Sequence, residues 1–518
     1  MTGFEFTLTL DFQFIQCLKA PSEYEYNEMK HAFRKPLKNS FMNPAVRNGF
    51  KDGNESFFND NYLPIGLWGE LQEYIVNKGY DFICHGLETF LNFSLDKETI
   101  FEFINNIFEN TEVSPRWYQY ESIYRILKYR YSSQQLSTAS GKTIISYSVF
   151  AYLKYINQVN KDKKFLLIVP RSGLVDQTYK KFINEYNNGF IGDFSILPIG
   201  GSHKFDNDKF RKSECIISTY QSLNRLKDEA FNLIRSINID EGHTARTNSI
   251  SRCIDLSSPL RYRFGLSGTL LEDIQYAEYY QNLKNSGPLT MIYDPKDLIN
   301  DGFAPNVEIT KVSLNYDNLL NDDRISKYLE FRENKPKNGI ELQLQYFKDL
   351  YKIERDMILS DELRLQAIIN FIKDFDKNTL ILFNDIKGSH GKNIFDKLSL
   401  LDIDCEYIDG NTKDSDRFVY TDAIEEKRMN LVASYGTFST GIDLKNIHYI
   451  VLAESFKSGT LIGQSIGRGL RSLIDKKVIH VIDIVDLLYK HTVNQYNERC
   501  KIYKKQNYPI KKVDIVLT

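Results

Sequence analysis

Polar and apolar residues alternate over Phe4-Glu5-Phe6-Thr7-Leu8-Thr9-Leu10, the period of a strand with one buried face. A basic, turn-rich stretch follows from His31 to Gly53. A helical run then spans Leu67 to Lys78, with Gly79 as its stop signal. From about residue 111 the pattern changes. Ile123 to Tyr131 reads as helical. Phe165-Leu166-Leu167-Ile168-Val169 is continuously apolar, as a strand covered on both faces of a parallel sheet must be. Cys215-Ile216-Ile217-Ser218 and Ile237-Asn238-Ile239 predict further strands, each followed by a turn. Residues 320–375 are helical and heavily charged. A second run of apolar strands follows: Leu380-Ile381-Leu382-Phe383, Leu431-Val432-Ala433, Tyr449-Ile450-Val451-Leu452 and Val478-Ile479-His480-Val481-Ile482. The pattern predicts an α/β chain with two parallel-sheet domains in tandem and a small α+β N-terminal domain. The expected divisions are 1–110 for the N-terminal domain, 111–293 for the first sheet domain, 294–375 for a linker and helical insertion, and 376–518 for the second.

Composition narrows the class. A chain of 518 residues exceeds what one core can organise. The net charge of -2 gives no global attraction to a polyanion, so any nucleic-acid surface must be a local patch. Cys17, Cys84, Cys215, Cys253, Cys405 and Cys500 form no CxxC pair, which argues against a structural zinc or a disulfide framework and suits a reducing cytoplasm. No apolar run approaches the roughly 20 residues of a membrane span, and no secretory leader pattern opens the chain. No membrane role and a cytoplasmic location are expected.

Five short motifs then follow in order. Ser140-Gly141-Lys142-Thr143 has the residues of a phosphate grip. Gly141 lets backbone N–H groups approach phosphate oxygens, Lys142 supplies a point charge, and Thr143 offers a hydroxyl to Mg²⁺. Leu136 stands where the strict loop has its first glycine. Asp240-Glu241-Gly242-His243 follows a strand; one carboxylate there can hold Mg²⁺ and the next can orient a water. His243 is placed to sense the γ-phosphate. Ser267-Gly268-Thr269 comes next, then Thr440-Gly441-Ile442-Asp443. Last is Gln464 with Gly467, Arg468 and Arg471, whose two arginines are three apart and share a helix face suited to charge on a transferring phosphoryl group. Upstream, Arg116-Trp117-Tyr118-Gln119 offers an amide that can read adenine and a ring that can stack.

This set resembles the superfamily 2 helicases of the DExH kind. The phosphate loop, Asp240 to His243, Ser267 to Thr269 and Gln464 to Arg471 match motifs I, II, III and VI of that family. Pro170, Leu174 and Gln177 are similar to motif Ia, and Gly436 to Asp443 to motif V. The stretches Ala433 to Ile442, Val451-Leu452-Ala453 and Lys457-Ser458 resemble a branch of phage recombination helicases. So does an N-terminal string: Asn43-Pro44, Asn48-Gly49, Asp52-Gly53, Leu63 to Leu67 and Gly79-Tyr80. The resemblance is weakest over 320–360, where this chain is longer. It implies two RecA-like domains, ATP and Mg²⁺ as cofactors, and a monomeric 3′-to-5′ DNA motor acting in a host cytoplasm. The substrates implied are branched or forked DNA: stalled forks, Holliday junctions and displacement loops. Single-strand-binding or recombination proteins are the partners to expect.

The resemblance implies roles residue by residue. Lys142, Asp240, Glu241, Gln464, Arg468 and Arg471 carry catalysis. Gln119, Ser140, Gly141, Lys142, Thr143, Asp240, Gly441 and Asp443 hold nucleotide, with Thr143 and Asp240 on the metal. His243, Ser267 and Thr269 couple hydrolysis to motion. The basic stretch holds Arg34, Lys35, Lys38, Arg47 and Lys51 with Phe33, Phe41 and Phe50 interleaved, the mixture that binds phosphates and stacks or wedges bases. Arg171, Thr219, Lys387 and Ser434 are expected to track phosphates within the motor. Three rivals remain at this point: a DExH RNA helicase, the motor subunit of a restriction or repair complex, and a non-hydrolysing clamp.

Overall fold

In the computed structural model the chain forms two compact units, Met1–Asp294 and Pro295–Thr518. It describes residues 3–518 apart from 93, 202, 258–259, 272–273, 321, 338, 385–389, 413–415, 417–418, 421–422, 425, 427, 439–443, 445, 456–458 and 471–475. The side chains of 340, 438, 459–461, 464 and 468 also lie outside that description.

The first unit opens with a four-stranded mixed sheet. Gly3–Leu8 pairs antiparallel with Phe14–Lys19 and parallel with Asp81–His85, and Tyr62–Pro64 completes the outer edge. The alternation at the start of the chain is realised as Phe4, Phe6 and Leu8 turned inward. The helix Trp68–Asn77 packs Trp68, Leu71 and Ile75 on this sheet. This N-terminal region shares one hydrophobic core with the parallel-sheet domain that follows. Its contact with that domain is tight. A Cβ at Gly66 would lie 1.9 Å from the carbonyl oxygen of Leu283 in the helix Ala277–Ser286. Nearby, Tyr279 donates its hydroxyl to Glu70 at 2.8 Å.

The larger sheet of this unit has seven strands in the order Leu289–Tyr293, Tyr131–Leu136, Tyr262–Ser267, Ile234–Asp240, Lys164–Val169, Cys215–Thr219 and Ile196–Ile199. Its pairings are all parallel. The carboxyl ends of the strands therefore share one edge, where open α/β sheets place ligands.

One strand departs from the sequence expectation. Residues 123–131 read as helical, but the helix is Trp117–Tyr129 and Tyr131–Leu136 is an interior strand of the sheet, next to the edge strand Leu289–Tyr293. Its side chains Tyr-Ser-Ser-Gln-Gln-Leu are all buried. Polar residues survive there because each is bonded. Ser132 Oγ meets Thr290 Oγ1 at 2.6 Å, and Ser133 Oγ reaches Gly287 O at 2.6 Å. Gln134 bonds both the hydroxyl and the carbonyl of Ser122. Gln135 donates to Asp294 and accepts from Leu271 N. A buried polar group that is bonded avoids most of its desolvation penalty, so an apolar pattern is not required.

The second unit has its own seven-stranded parallel sheet, ordered Cys405–Ile408, Asn430–Ser434, Thr379–Phe383, Tyr449–Leu452, Val478–Asp486, Asn306–Asn315 and Ile510–Val516. The stretch 294–375, read from sequence as linker and helical insertion, contributes the ten-residue strand Asn306–Asn315 to this sheet. Only after it do the helices Asp323–Glu333, Ile340–Ser360 and Glu362–Ile372 appear. The architecture is two RecA-like parallel-sheet domains in tandem with a small α/β region at the N-terminus. Among the described residues no helix is long and apolar enough to cross a membrane.

Candidate nucleotide and nucleic-acid site

The phosphate loop links the polar strand Tyr131–Leu136 to the helix Lys142–Tyr155. Gly141 is the helix N-cap, with φ +79°, a left-handed conformation that favours glycine. A Cβ there would meet the Gln119 amide nitrogen at 2.2 Å. The loop is held from below by its neighbours. Tyr118 donates its hydroxyl to Ser140 O at 2.9 Å, and the Gln119 amide donates to the same oxygen at 2.8 Å. The other end of that amide accepts from Arg116 N at 2.7 Å. Gln119, expected to read adenine, is thus buried and engaged at both ends. Tyr118, expected to stack on a base, instead stacks on Tyr293 with centroids 4.1 Å apart. Its ring is fully covered and its hydroxyl is spent on the loop.

Asp240 ends the strand Ile234–Asp240, and Glu241 follows with φ +52°, an unusual value for a residue with a side chain. Burial and the neighbouring Glu241 push the Asp240 carboxyl up to about 6, against the opposing pull of the Lys142 ammonium. The Lys142 ammonium is thus close enough to favour the ionised carboxylate through space. His243 Nδ1 lies 2.9 Å from Ser267 Oγ, 3.3 Å from Thr269 Oγ1 and 3.3 Å from Glu241 Oε2. Burial lowers the His243 pKa, with Glu241 opposing. The first unit thus gathers Ser140, Gly141, Lys142, Thr143, Asp240, Glu241, His243, Ser267 and Thr269 on one edge.

The residues fit a triphosphate with a divalent cation. A glycine-started helix of 14 residues presents its N-terminus. Ser140 Oγ is buried with no hydrogen-bond partner among the described residues. A carboxyl raised by burial and by a second carboxylate is one that a cation would relieve. Thr143 and Asp240 are the residues to hold Mg²⁺, a metal that takes few protein ligands and keeps water and phosphate for the rest.

Gly441, Asp443, Arg471 and Lys387 lie outside the described residues. Gln464 and Arg468 stand on the helix Gly459–Gly469, their side chains likewise outside the description.

The expected nucleic-acid residues divide into two groups. Thr219 caps the helix Tyr220–Leu223 by accepting from Ser222 N, and Ser434 binds Thr437 N in the same way. Both side chains are buried, so neither hydroxyl is open to a strand. Arg171 is exposed at the N-cap of Ser172–Lys180. In the N-terminal stretch, Arg34 pairs with Asp52, and Lys35 lies 4.7 Å over the Tyr280 ring with its pKa lowered by burial. Lys38, Arg47 and Lys51 are exposed. The three interleaved rings also differ: Phe33 is in the core, whereas Phe41 is 59% and Phe50 81% exposed.

Two residues that support the site escaped the sequence reading. Asn238, in the strand leading to Asp240, donates to Ser146 Oγ at 2.6 Å, and Ser146 in turn donates to Lys142 O at 3.0 Å. This ties the acidic strand to the helix of the phosphate loop. Gln135 ties the turn after Thr269 to Asp294. The signal was a polar residue inside each strand that feeds the site.

Comparison with known proteins agrees with this arrangement. Residues 112–272 match the family described as type III restriction enzyme, res subunit, and residues 363–472 match the helicase conserved C-terminal domain. The chain is 27% identical over 471 residues to the ATP-dependent DNA helicase UvsW of Enterobacteria phage T4, covering 90% of this chain and 87% of that one. It is 24% identical to a putative ATP-dependent helicase of Saccharomyces cerevisiae over 68% of this chain, and it spans 48% of that relative's length. The fold is shared with a fragment of a putative HsdR subunit of a type I restriction enzyme from Vibrio vulnificus. There the TM-score is 0.52 at 17% identity, over 80% of this chain and 71% of the other. The chain is built on the tandem motor of the superfamily 2 helicases, and over most of its length it resembles UvsW.

Proposed function

We propose that this chain is an ATP-dependent DNA helicase or translocase that acts on branched DNA, regressing forks, migrating Holliday junctions and unwinding displacement loops. The observation that carries the reading is the edge of the first sheet. There Lys142 opens the helix that follows one strand, Asp240 ends another strand of the same parallel sheet, and His243 joins the acidic motif to Ser267 and Thr269. Lys142 binds the β- and γ-phosphates, and Glu241 orients and activates the attacking water. Bound Mg²⁺ supplies charge neutralisation on the phosphates. Gln464, Arg468 and Arg471 contribute from the second unit to charge on the transferring group, and Gly441 and Asp443 to nucleotide contact. DNA as the substrate is supported by the likeness to the DNA helicase UvsW across nine tenths of the chain, and its branched form is what the motif resemblance implies. The exposed Lys38, Arg47, Lys51, Phe41 and Phe50 add to it as a phosphate-and-base surface.

The test is ATP hydrolysis with forked, four-way, duplex and single-stranded DNA and with RNA. Strongest stimulation by forked and four-way DNA is expected, and Lys142→Ala and Glu241→Gln should abolish turnover in a folded chain. Normal turnover in both variants refutes the motor, and preference for RNA refutes the substrate. The match of 112–272 to a restriction subunit favours one second reading, a motor within a restriction or repair complex. Stimulation by unbranched duplex as strong as by forks would favour it.

A further inference from the structure

Residues 273–362 fall between the two matched families, and they include the helix pair Asp323–Glu333 and Ile340–Ser360. The long helix is firmly seated. It buries Tyr346, Glu354 and Ile358, and Tyr328 donates its hydroxyl to Glu354 at 2.6 Å while His491 pairs with the same carboxylate. Tyr346 donates to Arg332 O at 2.6 Å, and the Gln343 amide reaches Pro336 O and Lys337 O.

On and beside that stripe the helix also carries Leu344, Phe347, Lys348, Tyr351, Lys352 and Arg355: Phe347 and Tyr351 line up with Glu354 and Ile358, and each lysine lies roughly 100° further round. Phe347 is 48% and Tyr351 45% exposed, although each ring is steadied from one side. Lys335 lies 4.9 Å over Phe347, and His491 meets Tyr351 edge-on at 5.1 Å. Lys348 and Lys352 are exposed. The acids Asp349 and Asp356 each follow a basic residue of this face by one position. One position is roughly 100° of helical rotation, so they sit on the flank. The face is aromatic along one side and basic along the other.

We propose that this helix face binds single-stranded nucleic acid, with phosphates on Lys348 and Lys352 and bases stacked on Phe347 and Tyr351. Rings four positions apart are separated by about 6 Å along a helix, a spacing that a stretched single strand can follow. A duplex, stacked at about 3.4 Å per base, cannot follow it without unstacking. Charge complementarity selects a polyanion, and solvent-open rings beside the cations select one with bases. The inference rests on the proposed motor function, since it places a second hold on the strand that the motor tracks.

The test compares the whole chain with the double variant Lys348→Glu/Lys352→Glu and, separately, Phe347→Ala/Tyr351→Ala. Binding of a fluorescent single-stranded oligonucleotide is followed by anisotropy over a salt series. The lysine variant is expected to weaken binding about tenfold and to flatten the salt slope by about 1.4, from two phosphate contacts at roughly 0.7 each. The aromatic variant is expected to weaken binding at least about fivefold with its slope intact. ATP hydrolysis without nucleic acid and the melting temperature should match the parent in the lysine variant. Parental affinity and slope in the lysine variant overturn the proposal, as does lost binding of a protein partner while strand binding stays whole. Because binding is read directly, the face is tested even if hydrolysis in the parent ignores nucleic acid, an outcome that refutes the motor reading instead.

Discussion

His243 Nδ1 sits 2.9 Å from Ser267 Oγ, so a residue of the acidic motif touches the end of the neighbouring strand directly. Thr269 closes the group: its backbone N–H donates to Ser267 Oγ at 3.2 Å, and its hydroxyl lies 3.3 Å from the same ring nitrogen. Parallel pairing of Ile234–Asp240 with Tyr262–Ser267 makes this contact possible, because it brings both motifs to one edge. A change at the acidic motif can therefore move the Ser267–Thr269 turn through hydrogen bonds alone. The variant Ser267→Ala/Thr269→Ala is expected to keep ATP hydrolysis within about threefold of the parent. Strand separation should fall at least about tenfold, a loss of some 1.4 kcal/mol in coupling. Hydrolysis and strand-displacement assays on the same preparation check this, and equal loss of both would refute the coupling role.

Asp240 gives the site a pH dependence. Its carboxyl is pushed up to about 6 by burial and by Glu241. Below that value it takes up a proton and loses the charge proposed to hold Mg²⁺. Hydrolysis should fall as pH drops through about 6, and added Mg²⁺ should move the midpoint lower, since a cation favours the ionised form. For stability, a raised carboxyl pKa means that the ionised form costs folding energy. That cost is absent below the usual carboxylate range, grows as pH rises from about 4 to about 6, and is complete above. Without metal at pH 7.5, Asp240→Asn should therefore be more stable than the parent by up to about 3 kcal/mol, yet inactive. The advantage should vanish at pH 4. Urea unfolding at the two pH values measures it.

Much of this organisation is legible in the sequence. Continuous apolar runs such as Phe165 to Val169 and Tyr449 to Leu452 announce strands covered on both faces, and they form them. The phosphate loop and the acidic motif are short, local and chemically specific, so they locate the site. The strand Tyr131–Leu136 was not legible, because its polar side chains are matched by partners up to 159 residues away, such as Gln135 with Asp294. Sequence spacing carries no record of such partners. The same holds for Gln119: its amide is suited to a purine, but its bonds to Arg116 N and Ser140 O are set by how the helix lies under the loop. Thr219 and Ser434 were similarly ambiguous, since a hydroxyl after a strand serves a helix cap as readily as a phosphate.

Gly66 sets how closely the N-terminal region approaches the first motor domain. A Cβ there would stand 1.9 Å from Leu283 O, a backbone atom in the last turn of its helix that is held by the N–H of Gly287 at 2.8 Å. Gly66→Ala must part the two regions, at a cost of about 1–3 kcal/mol by the usual scale of overpacking. The contact also fixes Lys35, which lies over Tyr280 in the same helix, and Lys38, whose backbone N–H donates to Glu278 at 3.1 Å. The variant is expected to melt earlier and to lose its N-terminal region first to protease. More DNA should be needed for half-maximal stimulation of hydrolysis, while turnover without DNA stays near the parental value. Unchanged DNA dependence in a variant whose N-terminal region has demonstrably loosened would remove that region from the proposed DNA surface.

Arg364 and Asp486 form a fully buried pair in the second unit, with Arg364 Nε 2.7 Å from Asp486 Oδ1. The guanidinium also donates to Ala453 O at 2.8 Å and lies 3.2 Å from His390 Nε2. A guanidinium only donates, so His390 Nε2 accepts and the ring carries its proton on Nδ1, which faces Glu454 Oε1 at 2.8 Å. Tyr316 completes the carboxylate's shell at 2.8 Å. The network grips Ala453 and Glu454 between the strand Tyr449–Leu452 and the helix that bears Gln464 and Arg468. Removing one member strands the other charge, so Asp486→Ala should cost about 3–5 kcal/mol. Replacing both with apolar residues, as in Arg364→Met/Asp486→Leu, leaves no orphaned ion and should cost clearly less than the sum of the single changes. If the network also positions the arginine-bearing helix, the double variant should fold yet hydrolyse ATP more slowly at saturating substrate, with little change in KM. A double variant with parental turnover would confine the network to stability.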